Sequence, residues 1–186
     1  MRSDEKWSRT APMRYPCLDA DKPTAHRRAR CHQGGGLMWH ESVLQAPEGK
    51  QLEFKRDLSS LRGVLKTLIA FANSAGGLLV VGVSDEREAV GVGDPFAQQE
   101  RLASLIADNI APRLVPEIEM TTVQGKTLLL VEVFPSSRRP HHFRKEGPQT
   151  EVYVRLGSTN RQADAPLIAE LERSAAGQGG WCTSSL

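Results

Sequence analysis

Apolar and polar residues alternate over residues 51–56 of the chain. Leu52 and Phe54 would share one face of a strand, because successive side chains of a strand point to opposite faces. Glu53 and Lys55 would share the other face, which is polar. The pattern therefore predicts a strand that carries charge on one side.

The segment that follows has the spacing of an amphipathic helix. Ser59 and Ser60 are candidate N-caps, and Gly76-Gly77 would end the helix because glycine adopts the left-handed conformation common there. Residues 78–83 are a continuous apolar run of strand length, which predicts a central strand buried on both faces. Residues 85–92 predict a turn and a short strand that close a hairpin. The apolar positions of the helix are Leu61, Val64, Leu65, Leu68, Ile69 and Ala72.

The second half of the chain predicts two helices and three strands. Residues 135–149 are polar and predict a loop. Because helices and strands follow one another without a regular βαβ alternation, the pattern predicts a single α+β domain. Its sheet would be mixed and mostly antiparallel, with about three packing helices. The predicted elements here are a helix over residues 98–110, strands over residues 118–123, 127–134 and 152–156, and a helix over residues 164–173.

The ends of the chain differ from its middle in composition. Residues 1–37 lack periodicity and hold eight Lys or Arg against four Asp or Glu, a charge of +4 that leaves −2 for the remainder because the whole chain carries +2. Such a segment buries too little apolar surface to offset the entropy of ordering it. We expect a disordered tail over residues 1–37, a domain over residues 38–174 and a second disordered tail over residues 175–186.

Composition also excludes several classes of protein. The chain has three cysteines, an odd number, and they lack the spacing of metal ligands. They therefore indicate neither a disulfide framework nor a zinc site; they are Cys17, Cys31 and Cys182. No stretch approaches the roughly 20 apolar residues that span a bilayer, and no secretory signal is evident. We expect a cytoplasmic protein without a membrane partner.

Five motifs, in this order and spacing, resemble one known family. The resemblance covers about residues 41–173 and is to the Schlafen AlbA-like domain, also called the divergent AAA domain. The motifs are residues 47–55 (PEGKQLEFK), Ala70-Phe71-Ala72-Asn73 with Gly76-Gly77, Gly82-Val83-Ser84-Asp85, Ile110-Ala111-Pro112, and residues 153–160 (YVRLGSTN).

The resemblance implies a module that binds nucleic acid, either DNA or RNA. In bacteria and archaea this module often precedes a winged-helix or helicase-like region in transcriptional regulators. The chain stops after the module, so we expect either a stand-alone copy of the module or a fragment that lacks a C-terminal effector domain.

The same resemblance implies an alternative, a metal-dependent ribonuclease. Some Schlafen proteins use two glutamates and an aspartate as catalytic carboxylates, and these fall on Glu48, Glu53 and Asp85. Three converging carboxylates would suit Mg²⁺ or Mn²⁺, which prefer oxygen ligands. Lys55 shares a strand face with Glu53 and could hold a phosphate. The structural alternative is an ion pair between Glu53 and Lys55.

A basic constellation is the main candidate for binding nucleic acid. Phe143 and Tyr153 lie among its residues as candidate stacking surfaces, an interleaving that suits contact with single strands. The alternative is a solvated loop whose charge is partly balanced by acidic neighbours. His141-His142 has no spaced partner and indicates a polar loop rather than a metal site. The predicted nucleic-acid-binding residues are Lys55, Arg138, Arg139, Arg144, Lys145, Arg155 and Arg161.

The sequence also bears on nucleotide binding and on self-association. The chain has no G-x-x-x-x-G-K-[ST] string, so we do not expect ATP as a cofactor. A third functional class is an interaction module in which the sheet edge mediates homodimerisation.

Overall fold

A four-stranded mixed sheet organises the fold, as seen in a computed structural model that describes residues 43–177. The described residues belong to one compact unit and begin with a helical turn at residues 43–45. The elements are β1 (Leu52–Lys55), α1 (Leu61–Asn73), β2 (Gly77–Val81), α2 (Pro95–Asn109), β3 (Ile110–Ala111), β4 (Glu117–Val123), β5 (Lys126–Val133), β6 (His142–Phe143), β7 (Tyr153–Leu156), β8 (Thr159–Gln162) and α3 (Ala165–Gly177).

The strand order confirms the predicted fold class. The main sheet runs β1-β2-β5-β4, with β1 parallel to β2 and the other neighbours antiparallel. Two small antiparallel pairs, β3 with β6 and β7 with β8, lie outside it. The protein is therefore α+β, with a mixed and mostly antiparallel sheet.

The register of β1 decides where its charged residues point. Glu53 is paired with Leu79, so it shares the sheet face whose apolar residues pack with α1 in the larger core cluster. Phe54 is paired with Val80 on the opposite face, which forms a smaller cluster. The polar side of β1 therefore faces into the protein. Glu53 is only 8% exposed.

Helix α1 matches its predicted span and ends where two glycines allow a tight return into β2. Gly76 has a φ of +75°, and a Cβ there would lie 2.6 Å from the carbonyl oxygen of Val133. A Cβ on Gly77 would lie 2.6 Å from the Phe71 ring. These close approaches require glycine at both positions of the turn that follows the helix.

Several elements differ from the sequence prediction. Strand β3 was not predicted, since Ile110 was assigned to the helix before it, and the short strand expected within residues 85–92 is a single bridge between Val83 and Ala89. Helix α2 begins at Pro95 rather than residue 98, because the Asp94 side chain accepts a hydrogen bond from the Ala97 amide and Pro95 occupies the first turn. Strand β6 lies within the predicted loop, and β8 was not predicted. Both are short, four residues or fewer, so they carry little periodicity.

The C-terminal helix is longer than predicted. Helix α3 extends to Gly177, so residues 175–177 are helical rather than part of a tail. The predicted disorder of residues 1–37 and 178–186 lies outside the described residues. Within residues 43–177, no helix is long and apolar enough to cross a membrane.

Candidate nucleic-acid interface

A buried ion pair joins the first strand to β7. Nη2 of Arg155 lies 2.5 Å from Oε2 of Glu53, and the Arg155 side chain has no exposed surface. The other carboxylate oxygen, Oε1, lies 2.6 Å from Nζ of Lys55. Both oxygens of Glu53 are therefore engaged by cations, and the structural alternative of a Glu53–Lys55 ion pair is observed.

Arg155 has further partners that fix its position. Its Nε and Nη2 donate to the carbonyl oxygen of Gly49 at 3.1 and 2.9 Å, and its Nη1 donates to Oδ1 of Asn160 at 2.9 Å. Its guanidinium carbon lies 5.2 Å from the centroid of the Phe71 ring. The expectation that Arg155 contacts nucleic acid is therefore corrected, because its side chain is a buried connector between β7 and the start of β1.

The three candidate catalytic carboxylates are not brought together. Oε1 of Glu48 accepts a hydrogen bond from the Phe54 amide at 2.9 Å, which ties Glu48 to the backbone of β1. Asp85 is exposed, in a turn closed by an antiparallel bridge between Val83 and Ala89. Among residues 43–177, no group of three His, Cys, Asp or Glu is placed to hold a metal ion.

The direction of β2 explains this separation. Strands β1 and β2 are parallel, and the amides of Gly82 and Val83 both donate to the carbonyl oxygen of Lys55. The chain then reverses through the turn that holds Asp85. Glu53 instead points toward the α1 side of the sheet, where its carboxylate binds Arg155.

The loop after β5 is anchored by one buried amide. Nδ2 of Asn73 donates to the carbonyl oxygens of His141 and Tyr153 at 2.8 and 2.9 Å, and its Oδ1 accepts from the His141 amide at 2.6 Å. Asn73 is 2% exposed and His141 is 1% exposed. The segment predicted as a polar loop is thus fixed to the end of α1 by a satisfied buried polar network.

The His141 ring also lies within this network. Its Nδ1 is 2.9 Å from the carbonyl oxygen of Pro112, and its Nε2 is 2.7 Å from Oγ of Ser136. Burial lowers the pKa of His141 below its usual value of 6.5, although the hydrogen bond to Pro112 acts in the opposite direction. His141 is therefore a structural residue rather than part of a solvated loop.

This lowered pKa predicts a pH dependence of stability. Below about pH 6.5 the unfolded chain takes up a proton at His141 that the folded chain resists, so the free energy of unfolding should fall as the pH drops from 6.5 toward the folded pKa. Urea titrations between pH 5 and pH 7.5 measure the slope. His141→Gln should be less stable at pH 7.5 and should lose this part of the slope. An unchanged slope in the variant would contradict the assignment.

The cations displayed by the anchored segment are the candidate interface, called here the basic loop (residues 138–145). Arg138, Arg144 and Lys145 are exposed, whereas Arg139 is half-buried and its Nε has no partner among the described residues. Nη2 of Arg144 donates to the carbonyl oxygens of Ala107 and Ile110, at the end of α2.

Charge balance separates these cations from the other candidates. Lys55 and Arg155 both pair with the carboxylate of Glu53. Within residues 43–177, no carboxylate forms an ion pair with Arg138, Arg139, Lys145 or Arg161. Arg161 is exposed on β8 but is paired in register with Val154, which packs in the separate cluster with α3. Among the described residues, the basic loop and Arg161 therefore carry the cations of the predicted constellation that have no carboxylate partner.

The two candidate stacking residues are covered. Phe143 and Tyr153 are 4% and 7% exposed, and their rings meet edge to face with centroids 6.3 Å apart. Arg62 and Lys66 of α1 lie over them, with the cationic groups 4.7 and 4.5 Å from the respective ring centroids. These aromatic residues serve the core rather than base stacking, which corrects the expectation.

Arg62 and Lys66 were not singled out from the sequence. Their spacing of four residues, on the polar side of α1, was an available signal for a common cationic face. Arg62 bonds to Glu146 and Glu151 at 3.2 and 2.9 Å, and the hydrogen bond to Glu146 is the main reason its pKa is raised. Arg62 is thereby a neutralised cation that holds the segment after β6.

Comparison with known proteins points to one family. A family model described as Schlafen, AlbA_2 matches residues 48–164. The solution NMR structure of the N-terminal domain of a RecG-related protein from Nitrosomonas europaea, whose name relates it to an ATP-dependent DNA helicase, is 31% identical. That match covers 66% of this chain and 91% of that chain, with a TM-score of 0.50.

A second solved structure shares the fold alone. The crystal structure of the DIP2311 protein from Corynebacterium diphtheriae is 18% identical, with a TM-score of 0.56. The match covers 81% of this chain and 29% of that one. No curated protein matches the chain.

Proposed function

This chain belongs to the Schlafen AlbA_2 family, and we propose that it binds nucleic acid through the basic loop. The observation that carries the proposal is the anchoring of the loop by Asn73 and His141, which presents cations without an acidic partner from a fixed backbone. A binding surface that is already ordered loses little entropy on binding. The solved N-terminal domain of a helicase-related protein supports a role with nucleic acid.

Contacts to the phosphate backbone are the chemistry that this surface supports. Exposed Arg and Lys neutralise phosphates and release counterions, which gives affinity without reading sequence. Arg138 and Lys145 contribute the exposed charges, and Arg144 joins the loop to α2. We assign Arg155 and Lys55 no direct role, because Glu53 binds both.

Replacing Arg138 and Lys145 together by Ala should weaken binding and flatten its salt dependence. Each phosphate contact contributes about 0.7 to the slope of log K against log salt for a single strand, so the double variant should lose roughly 1.4. Fluorescence anisotropy with a labelled oligonucleotide at several salt concentrations measures the slope. The matched control is the pair Lys126→Ala and Arg173→Ala, which removes the same charge outside the loop. Equal slopes in the two double variants would overturn the proposal.

The remaining functional readings stay predictions. They are a regulatory role, a cytoplasmic location and a homodimer through the sheet edge. The metal-dependent ribonuclease with Glu48, Glu53 and Asp85 also stays a prediction. No contact among the described residues favours it, because Glu53 is bound by two cations.

A further inference from the structure

A cavity of about 280 Å³ lies between the segments that lead into the first two helices. Its walls are residues 57–59, just before α1, and residues 91–93, just before α2, together with Gln98 and Arg101 on α2. Pockets for drug-sized molecules are usually 300–1,000 Å³. The volume therefore fits a single ring system with a small substituent rather than a dinucleotide.

The lining combines three kinds of group. Leu58 is 4% exposed and Val92 is half-buried, and these two side chains form the apolar part of the lining. Asp57 contributes a carboxylate, whose pKa is lowered by hydrogen bonds from Ser59. Arg101 is exposed, and no described carboxylate forms an ion pair with it.

These groups select among small ligands. An ionised carboxylate only accepts hydrogen bonds, so Asp57 favours a ring that carries an amino group and disfavours a bare anion. The Arg101 guanidinium, which lines the same cavity, can hold the phosphate of the nucleotide that carries the ring. A nucleobase with an exocyclic amino group, followed by its phosphate, satisfies the apolar wall, the acceptor and the cation together.

The position of the cavity connects it to the basic loop. Helix α2 carries Arg101 at the cavity, and Arg144 of the basic loop bonds to the carbonyl oxygen of Ala107 on the same helix. Arg62 follows the cavity residue Ser59 by three positions, and its guanidinium carbon lies 4.7 Å from the centroid of the Phe143 ring in the loop. Arg62 also pairs with Glu146, the residue after the loop, so a strand bound at the loop can reach the cavity.

We propose that this cavity receives one unstacked, amino-bearing base of a single strand held by the basic loop. The inference rests on the proposed function and adds a preference among bases to it. Cytosine presents an amino donor where uracil presents a carbonyl acceptor, so the two pyrimidines test the role of Asp57 at equal size.

The experiment compares labelled oligo(C) and oligo(U) binding to the full chain by fluorescence anisotropy. We expect oligo(C) to bind at least about fivefold more tightly, since one good base contact discriminates by about 1 kcal/mol or more. Asp57→Asn should bring the ratio close to one, because an amide can also donate to uracil. Gly93→Ala should weaken binding of both oligonucleotides without changing the salt slope, since Gly93 lines the cavity and the added Cβ would meet no protein atom within 4 Å.

Gly49→Ala is the matched control, because its Cβ would approach only the carbonyl oxygen of Pro47, at 4.0 Å, and Gly49 does not line the cavity. Equal affinity for the two oligonucleotides with a normal salt slope overturns the cavity proposal and leaves loop binding intact. Failure to bind either oligonucleotide overturns both proposals. If CMP raises the melting temperature of the chain through Asp57 and no oligonucleotide binds, the cavity is a site for a free nucleotide. That outcome overturns the proposal that the cavity receives a base of a bound strand.

Discussion

Arg155→Ala should lower the free energy of unfolding by about 3–5 kcal/mol, measured by urea denaturation at pH 7. The substitution leaves the carboxylate of Glu53 in a nearly buried position with Lys55 as its remaining cation. Removing one partner of a buried ion pair costs this much because the other charge stays out of water. Since small domains are stable by about 5–15 kcal/mol, the variant should be close to unfolding at moderate temperature.

Two controls separate the buried pair from a general loss of charge. Arg62→Ala also removes an arginine that bonds to two carboxylates, but the Arg62 side chain is 58% exposed, so its loss should be much smaller. The double variant Glu53→Met with Arg155→Met should be more stable than the sum of the single changes predicts, because it leaves no fully buried charge, and Lys55, whose side chain is 32% exposed, can still reach water. A loss for Arg155→Ala no larger than that for Arg62→Ala would show that the pair does not join β7 to β1.

Asn73→Ala should destabilise the fold by about 3 kcal/mol and release the basic loop. The change removes three hydrogen bonds and leaves the amide and carbonyl of His141 and the carbonyl of Tyr153 without their partner. A buried polar group without a partner costs about 1–3 kcal/mol. Urea denaturation measures the loss, and faster hydrogen exchange of backbone amides in residues 136–145 measures the release.

The same variant tests whether the anchored loop matters for binding. Asn73→Ala changes no charge, so the salt slope should stay near the wild-type value while affinity falls, because binding must now order the loop. Asn109→Ala is the matched control, since its side chain makes one hydrogen bond, to the carbonyl oxygen of Leu105, in a half-buried position. Wild-type affinity in Asn73→Ala, under conditions where the chain is folded, would show that anchoring is irrelevant to binding.

The two buried networks have related consequences for function. Arg155 fixes the hairpin of β7 and β8 to the start of β1, and Asn73 fixes the basic loop to the end of α1. Both networks contact the C-terminal part of α1 or the residue after it, since Ser74 accepts a hydrogen bond from the Arg155 amide. Changes at the end of this helix should therefore affect the hairpin and the loop together.

The hydrophobic pattern determined much of the local structure. The strand at Glu53, the helix that ends before Gly76 and the hairpin turned at Gln124-Gly125 all follow from periodicity and turn residues. In the hairpin, Gln124 and Gly125 both have positive φ, as a two-residue turn between twisted strands requires. Such features depend on neighbours within a few residues, so they can be read along the chain.

The sequence by itself determined the fold class, most helices and strands, and the family, because periodicity, turn residues and motif spacing are local. Only the tertiary structure decided the roles of the charged residues. Glu53 meets Arg155 across 102 positions, and Asn73 meets His141 across 68. No periodicity encodes such separations. Whether an arginine is exposed to phosphate or buried against a carboxylate is therefore settled by chain topology, which leaves Arg138 and Lys145 at the surface and encloses Arg155.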